Sequence, residues 1–350
     1  MYIRELSPAP DYPVRNGKPQ FGSFTGPFGH FDIKGMKRPF GDLPLPVFIT
    51  NIRVMERMRF LFSDDETIGE ISIFNAGYFS FMETTLWNRI TKYKTAYRRI
   101  LPPGLMRGPR NFQSSVTACR TQKRYVKINT RLQKKMIYVD FDFIGSDSRP
   151  STEAHLEMNL DRLGAADLSS LIPYGVKRRC QASYQVTGPL QGWISTGDKD
   201  HTISEEFGIG FLDVRKAYFS LRTKTSSLVG IARIDGKLVS FQLGNSVSGD
   251  DYRYNDNILF YDGIKHPLPP VRITRPYGVS GAWVIQDTES MVDLVFTPIS
   301  VSSRNLSLFV VRTSYQTVYG TFDGTLLTGE GEPLVLKAFP GIGKKILLRI

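Results

Sequence analysis

Acidic and histidine side chains that could do chemistry lie close together on two neighbouring predicted strands. Asp140 and Asp142 are two residues apart, so both point to the same face of one strand. The next strand can bring Glu153, His155 and Glu157 beside them on that face. Such a cluster could bind a metal ion or transfer protons, but charged residues also make up the ordinary solvent face of an antiparallel sheet. We favour the solvent face for this cluster.

A second group of candidates lies in the C-terminal half. Asp256 could act as an acid–base group on a buried ligand without any cofactor, with Asn257 or Arg215 as the orienting donor. The competing interpretation is that Asp256 closes a turn beside Asp250 and Asp251, because Asp is common in turns. We favour the turn for Asp256.

Aromatic side chains could line an apolar pocket. The three Trp residues are first of all material for a β-sheet core, and the pocket interpretation is strongest for Trp283, which follows the segment Gly-Val-Ser-Gly-Ala. A buried Arg215 needs an acidic partner, for which Asp213 and Asp256 are the candidates. We expect the predicted ligand-binding residues to meet at a cavity between two β domains. They are Arg215, Asp256, Asn257, Tyr261 and Trp283.

The sequence lacks the motifs of several enzyme classes. Its four histidines are too far apart for HxH or HxxxH metal-ligand spacing, so we predict no metal site. It has no GxSxG nucleophile motif, and the glycines at 208–210 and 341–343 lack the spacing and the following helix of a phosphate loop. A nucleotide-dependent enzyme is therefore disfavoured, and no cofactor is predicted.

Charge is the one unusual bulk property of this 350-residue chain, whose formal net charge is +12. A field of that sign favours acidic partners, so nucleic acid or anionic lipid is a candidate partner. The basic residues are spread along predicted strands, as in Arg53, Arg57 and Arg59, with short runs at 134–135 and 177–179. We interpret each of these groups as part of a solvated face.

The sequence predicts a cytoplasmic protein. No run of about eighteen apolar residues occurs, so we expect no transmembrane segment. The first residues lack the apolar core of an export signal. Cys119 and Cys180 lie in different halves without a CxxC motif, which indicates two reduced thiols.

The hydrophobic pattern predicts strands in both halves. Three predicted strands between residues 122 and 160 each alternate an apolar face with a polar face, which indicates an antiparallel meander. Asp-Gly turn signals at 235–236 and 262–263 indicate further antiparallel strands. Residues 161–172 favour at most a short helix, which we interpret as a linker.

The predicted fold class is all-β, with two antiparallel β-barrel or β-sandwich domains in tandem. An extended N-terminal lead-in at 1–50 packs on the scaffold, because its many Pro and Gly residues disfavour regular elements. The N-terminal β domain is predicted at 51–170 and the C-terminal β domain at 171–350.

The C-terminal half resembles a known family through a succession of segments. They are DGKLVSFQLGN, NDNILFYDGIKHPL, WVIQ, VDLVFTP and YQTVYGTFDGTL. Together they resemble the bacterial family called domain of unknown function 2804, and looser similarity in RELSPAP and NGKPQFG extends the resemblance over most of the chain. The resemblance implies two lipocalin-like β domains, akin to the carotenoid hydratases and fungal Diels-Alderases built on paired calycin barrels. It implies no established activity.

This sequence departs from the family pattern at three places. Asp256 stands where Glu is expected, no Trp occurs between residues 215 and 225, and Lys344 or Lys345 replaces a C-terminal Glu. A chemistry that used those positions would therefore not transfer directly to this chain.

Three functions remain open at this point. The first is binding of an apolar or amphipathic small molecule in a β-barrel or inter-domain cavity. The second is a cofactor-independent isomerase, hydratase or cyclase that acts on such a ligand. The third is a basic surface that binds nucleic acid or anionic lipid, whose affinity would fall steeply with salt. We favour the first.

Overall fold

The computed structural model describes residues 2–41, 45–77, 79–102, 104–106, 108–175, 179–220, 222–308 and 311–349. Within these ranges nearly all regular structure is β-strand, and helix is limited to α1 (Val47–Ile52) and a short 3-10 helix at Leu132–Lys134. The strands form two large curled sheets and one small hairpin. The prediction of an all-β protein with two antiparallel half-barrel units is confirmed.

The first sheet is formed by strands that lie before residue 219 in the chain. In chain order, the strands up to Tyr218 are β1 (Leu6–Pro8), β2 (Val14–Arg15), β3 (Lys18–Pro19), β4 (Gly22–Thr25), β5 (Val54–Ser63), β6 (Thr67–Asn75), β7 (Ser80–Asn88), β8 (Lys94–Leu101), β9 (Ser115–Thr121), β10 (Arg124–Arg131), β11 (Met136–Phe143), β12 (Thr152–Asn159), β13 (Ala166–Pro173), β14 (Cys180–Thr196), β15 (Lys199–Ile203) and β16 (Ile209–Tyr218). All of them except the β2–β3 hairpin belong to the first sheet, whose main path runs β8-β7-β6-β5-β16-β14-β12-β11-β10-β9.

The predicted meander between residues 122 and 160 is present as β10, β11 and β12. These strands pair in antiparallel register, with Val126 opposite Phe141 and Val139 opposite Leu156. The four side chains are buried in the core of the first sheet, as the alternation predicts.

Residues 161–172 do not form the helical linker that we expected. Most of this segment is β13, which pairs with β14 along its whole length and with β4 on its other edge. Leu168, Ser169 and Leu171 are all buried. A strand that is covered on both faces loses the alternation by which strands are recognised, so the prediction was wrong for a physical reason.

The second sheet contains the remaining strands. They are β17 (Arg222–Ile234), β18 (Lys237–Gly244), β19 (Ile258–Tyr261), β20 (Ile264–Pro267), β21 (Arg272–Thr274), β22 (Trp283–Gln286), β23 (Val292–Leu308), β24 (Val311–Leu327) and β25 (Pro333–Arg349). Their spatial order is β20-β19-β18-β17-β25-β24-β23-β22-β21. The chain passes between the sheets after Tyr218 rather than at residue 170, where we placed the domain boundary. The division into domains itself stays a prediction.

The two large sheets pack against each other through an apolar layer that both contribute to. Leu61 and Phe211 of the first sheet share one buried cluster with Val229, Tyr319 and Ile342 of the second. Each sheet has a separate apolar core on its opposite face. The layer between the sheets therefore consists of one face of each, and the polar residues of these same faces form the candidate site.

Candidate functional site

A cavity lies between the two sheets, beside the shared apolar layer. Its volume is about 120 Å³, whereas a single water needs only about 10–15 Å³ of such space. The first sheet contributes residues of β5, β6, β7, β14 and β16, and the second contributes residues of β17, β18, β24 and β25. The cavity can therefore admit a molecule larger than water, and it needs both sheets for its walls.

One wall of the cavity is a chain of buried ion pairs centred on Asp213. Arg57 donates from Nη2 to Asp213 Oδ2 at 3.2 Å, and Arg215 donates from Nε to Asp213 Oδ1 at 2.8 Å. Arg215 also forms an ion pair with Asp256 of the second sheet's β18–β19 loop. The acidic partners predicted for a buried Arg215 are thus both present.

A second set of ion pairs is centred on Glu70 and also crosses between the sheets. Glu70 Oε1 accepts from Arg59 Nε at 2.6 Å and lies 2.8 Å from Lys344 Nζ of the second sheet. Lys344 also donates to Ser72 Oγ at 3.3 Å. Arg59, Glu70 and Lys344 are all buried. Lys344 is therefore one of the groups that join the two sheets.

Strand periodicity and register explain how these charges come together. Arg57 and Arg59 are two residues apart on β5, and Asp213 and Arg215 are two apart on β16, so each pair points to one face. The register places Arg57 directly opposite Arg215 and Arg59 opposite Asp213. Like charges opposite each other repel, and Asp213 offsets this by accepting hydrogen bonds from both Arg57 and Arg215.

Burial and pairing act against each other on the pKa values in this cluster. Burial lowers the pKa of Arg57 to about 10, although Asp213 acts in the opposite direction. Burial would raise the pKa of Asp213, but Arg215 and Arg57 outweigh it and the pKa is lowered. Glu70 behaves in the same way, since Lys344 and Arg59 outweigh its burial and lower its pKa. The carboxylates are therefore well compensated, while Arg57 is compensated only in part.

Several buried polar atoms of this region have no hydrogen-bond partner among the described residues. They include Arg57 Nε and Arg215 Nη2 at the cavity wall, both terminal nitrogens of Arg59, and Gln242 Oε1 on the facing strand β18. Buried polar groups are normally satisfied, so unpaired ones at a cavity mark a place where another molecule can donate or accept hydrogen bonds.

A further part of the cavity wall is apolar. Phe74, Phe79, Phe81 and Phe219 of the first sheet and its connections line it together with Leu348 of β25. Phe74 and Phe219 also pack edge to face, with ring centroids 6.5 Å apart. The cavity therefore combines an aromatic part with a charged part, which is the composition expected of a site for an amphipathic molecule.

The structure brings together only two of the five residues that we predicted to bind a ligand. Arg215 and Asp256 line the cavity. Asn257 is fully buried nearby, but its side chain accepts from Gly244 N and donates to Pro269 O, so it holds the loop that carries Asp256. The other three predicted residues are not among those that line the cavity.

Tyr261 and Trp283 are not among the residues that line this cavity. Trp283 is buried in the separate core of the second sheet, where its Nε1 donates to Val279 O at 2.9 Å. Tyr261 packs on the same core, and Lys237 Nζ lies 5.2 Å from the centre of its ring. The indole ring of Trp283 accounts for the glycine at position 343, because a Cβ on that residue would lie 2.9 Å from the ring. A ligand-binding role for Asn257, Tyr261 and Trp283 stays a prediction.

Sequence reasoning missed Arg57, Arg59, Glu70 and Lys344. We interpreted the basic residues of β5 as a solvated face, which is wrong for Arg59, whose side chain has no exposed surface, and for the largely buried Arg57. Part of this pairing could have been inferred from the sequence. β5 alternates Arg with Met, Phe and Leu, and β16 contains Asp-x-Arg, so the charges of the two strands can pair if the strands are neighbours. The register that makes the pairing is set by the whole sheet and is not visible in either strand alone.

The acidic and histidine cluster on β11 and β12 is a solvent face, as we favoured. His155 Nδ1 lies 2.6 Å from Asp140 Oδ1 and its Nε2 lies 3.2 Å from Glu157 Oε1, and the His155 side chain is 40% exposed. Burial lowers the pKa of His155, but the bonds to Asp140 and Glu157 outweigh it and raise the pKa. In the described part of the chain, no group of three or more His, Cys, Asp or Glu residues is arranged to hold a metal ion.

The remaining expectations concern the thiols, the charge and the membrane. Cys119 and Cys180 are buried and unpaired, in agreement with the prediction. Lys177 and Arg178 of one basic run lie outside the described residues. No described helix combines the length and apolar character needed to cross a membrane. Binding to nucleic acid or anionic lipid, and a cytoplasmic location, stay predictions.

Comparison with known proteins assigns the chain to a family. The sequence profile described as Domain of unknown function (DUF2804) matches residues 15–347. The chain belongs to this family. The resemblance found in the C-terminal segments is thereby confirmed, and the DUF2804 match extends it through both sheets and through every residue of the cavity named above except Leu348.

The other comparisons add little to the DUF2804 assignment. The search of curated proteins finds no match. Among solved structures, the crystal structure of kievitone hydratase from Nectria haematococca is similar over 84% of this chain and 88% of that one, with 7% identity and a TM-score of 0.48. We draw no functional argument from a similarity of this level.

Proposed function

We propose that the cavity between the two sheets binds an amphipathic small molecule. The observation that carries this proposal is the division of one cavity into an aromatic part and a part with buried charges and unpaired polar atoms. Burial of an apolar body against the Phe side chains supplies affinity, and the polar groups supply orientation. An interface that only held the two sheets together would not require both an aromatic part and unpaired polar atoms.

The first test is direct detection of a ligand. Native mass spectrometry after gentle purification should reveal a bound small molecule, and a panel of lipids, terpenoids and polyenes should raise the melting temperature. A variant with the cavity filled, Thr225→Trp, should lose these effects, because Thr225 lines the cavity and is half-buried. Thr202→Trp, on the exposed edge strand β15, is the matched control and should keep them.

Two outcomes would contradict the proposal. One is that no ligand co-purifies and that no member of the panel shifts the melting temperature of the unmodified protein. The other is that Thr225→Trp, shown to be folded by circular dichroism, binds as well as the unmodified protein. In that case any bound molecule occupies another place.

A second candidate function is catalysis on such a ligand by Asp256. This carboxylate lines the cavity, is 5% exposed and is held by Arg215. A carboxylate at the wall of a ligand cavity could accept a proton from the substrate, which is the step needed by a cofactor-independent lyase, isomerase or cyclase. Asp256→Asn should then abolish turnover of the ligand identified above while leaving its binding measurable. Unchanged turnover in this variant would remove the catalytic role.

A further inference from the structure

The charged groups and the aromatic rings of the cavity lie side by side on the first sheet. Arg57 of β5 is the cross-strand neighbour of Arg215 on one side and of Phe74 on the other, and Phe74 is the neighbour of Phe81. Arg57 and Arg215 are largely buried, with side chains 16% and 12% exposed. A ligand whose polar end reaches these two arginines can therefore place its apolar end against the Phe side chains.

The charges in and next to the cavity wall do not cancel. Four cations, Arg57, Arg59, Arg215 and Lys344, are paired with three carboxylates, Asp213, Asp256 and Glu70. Glu83 also lines the cavity, but it is paired with its own partner, Arg98. One positive charge is thus left over in a region from which water is largely excluded, where an uncompensated charge is costly.

The unpaired donors at the cavity wall indicate the same sign, whereas Gln242 Oε1 is an unpaired acceptor. Arg57 Nε and Arg215 Nη2 are donors at the cavity wall without an acceptor among the described residues. Guanidinium groups bind carboxylates with short, charge-assisted hydrogen bonds. A carboxylate between Arg57 and Arg215 would supply both the missing acceptor and the missing negative charge.

We infer that the cavity selects amphiphiles with an acidic head group, which lies between Arg57 and Arg215 while the apolar part contacts the neighbouring Phe side chains. This inference rests on the proposed function and specifies its ligand class. The lowered pKa of Arg57, which follows mainly from its burial, is consistent with a guanidinium that still lacks part of its counter-charge.

The test compares three probes that share one apolar body and differ in the head group. They are phenylbutanoic acid, phenylbutanol and phenylbutylamine, with binding measured by calorimetry at pH 7 and constant ionic strength. The acid should bind at least about tenfold more tightly than the alcohol, since one charge-assisted bond contributes about 1.5–3 kcal/mol. The amine should bind least, because it adds a cation to a region that already has an excess.

Variants then locate the head group. Arg57→Met keeps the volume but removes the cation, so it should weaken binding of the acid about tenfold or more and change binding of the alcohol by less than about threefold. Arg162→Met is the matched control, because Arg162 pairs with Glu205 on the surface and does not line the cavity. It should leave all three affinities unchanged.

The outcomes separate this inference from the proposed function. If phenylbutanol binds as tightly as the acid to the unmodified protein, the acidic head group is wrong and the amphipathic site stands. The acidic head group is also wrong, and the amphipathic site also stands, if neutral members of the panel of lipids, terpenoids and polyenes bind and no acid binds. If neither these probes nor the panel binds, both proposals fail. The comparison on the unmodified protein needs no variant to fold.

Discussion

Arg215 and Asp256 form an ion pair that joins the two sheets at the wall of the cavity. Arg215 belongs to β16 of the first sheet, and Asp256 belongs to the loop before β19 of the second. Asp213 holds the same guanidinium from its own strand. The position of Asp256 at the cavity therefore depends on an arginine that the first sheet has already fixed.

The two carboxylates that bind Arg215 should differ in their importance for stability. Asp213→Asn should lower the free energy of unfolding by about 3–5 kcal/mol, because it leaves Arg57 and Arg215 buried without their shared partner. Asp256→Asn should cost only about 1–3 kcal/mol, because Arg215 keeps Asp213. Chemical denaturation of both variants measures the difference, and an equal or larger loss in Asp256→Asn would contradict this ordering.

Stability should fall in acid because of the buried carboxylates. The pKa values of Asp213 and Glu70 are lowered from their ordinary values of 3.8 and 4.5. The unfolded chain therefore binds more protons than the folded chain in this range, and stability rises with pH. The contribution is complete above about pH 5 and is lost as the pH falls through the lower pKa values of the folded protein.

Denaturant unfolding at a series of pH values between about 6 and 3 checks this dependence. Glu70→Gln and Asp213→Asn should each show a shallower fall, since one titrating group is gone. A variant at an exposed carboxylate, Asp65→Asn, serves as the control because Asp65 is exposed and belongs to neither set of ion pairs at the cavity. A fall that is equally steep in all three variants would show that other groups cause it.

The N-terminal segment should control the loop that carries Asp256. Arg4 donates from Nη1 to Asn255 O at 2.6 Å and from Nη2 to Asn257 O at 2.7 Å. Arg4→Met should remove these bonds and increase hydrogen–deuterium exchange of residues 245–257 at least severalfold, with little change elsewhere. Arg15→Met, in the small β2–β3 hairpin, is the control. Unchanged exchange in the loop would mean that Asn255 and Asn257 hold it by themselves.

Trp283 should prove to be a core residue and not a ligand contact. Trp283→Ala should lower the free energy of unfolding by about 3–5 kcal/mol, the usual cost of removing a large buried aromatic side chain. The milder Trp283→Phe should fold and bind the ligand of the cavity with unchanged affinity, measured by calorimetry. Loss of binding in folded Trp283→Phe would show that Trp283 contributes to the ligand site.

The fold was more predictable from sequence than the site, and particular residues show why. The meander from β10 to β12 follows from local alternation, since Val126, Val139 and Leu156 each report on their own strand. The pairing of Lys344 with Glu70 joins residues 274 positions apart in the two sheets, and no local pattern encodes it. Arg215 could be predicted to need an acid, because burial of a cation demands a partner wherever it occurs.

Trp283 and Asp256 show the limits of residue type as a guide. Both were attractive as ligand contacts, and only the packing of the second sheet separates them. Trp283 lies on the face of β22 that points to the sheet's own core, while Asp256 lies in a loop directed to the first sheet. The assembled fold determines what covers each face of a sheet. This information therefore had to come from the structure.

The place of β25 in the second sheet bears on how the protein is made. This strand, residues 333–349, lies between β17 and β24 and also carries Lys344. Until these residues have left the ribosome, β17 and β24 each present an open edge, and Glu70 and Arg59 lack their third partner. Open edges can pair with other chains, so slow synthesis or premature termination before residue 333 should favour aggregation over partial folding. The cavity cannot form before β25 has been synthesised, because residues of this strand line it.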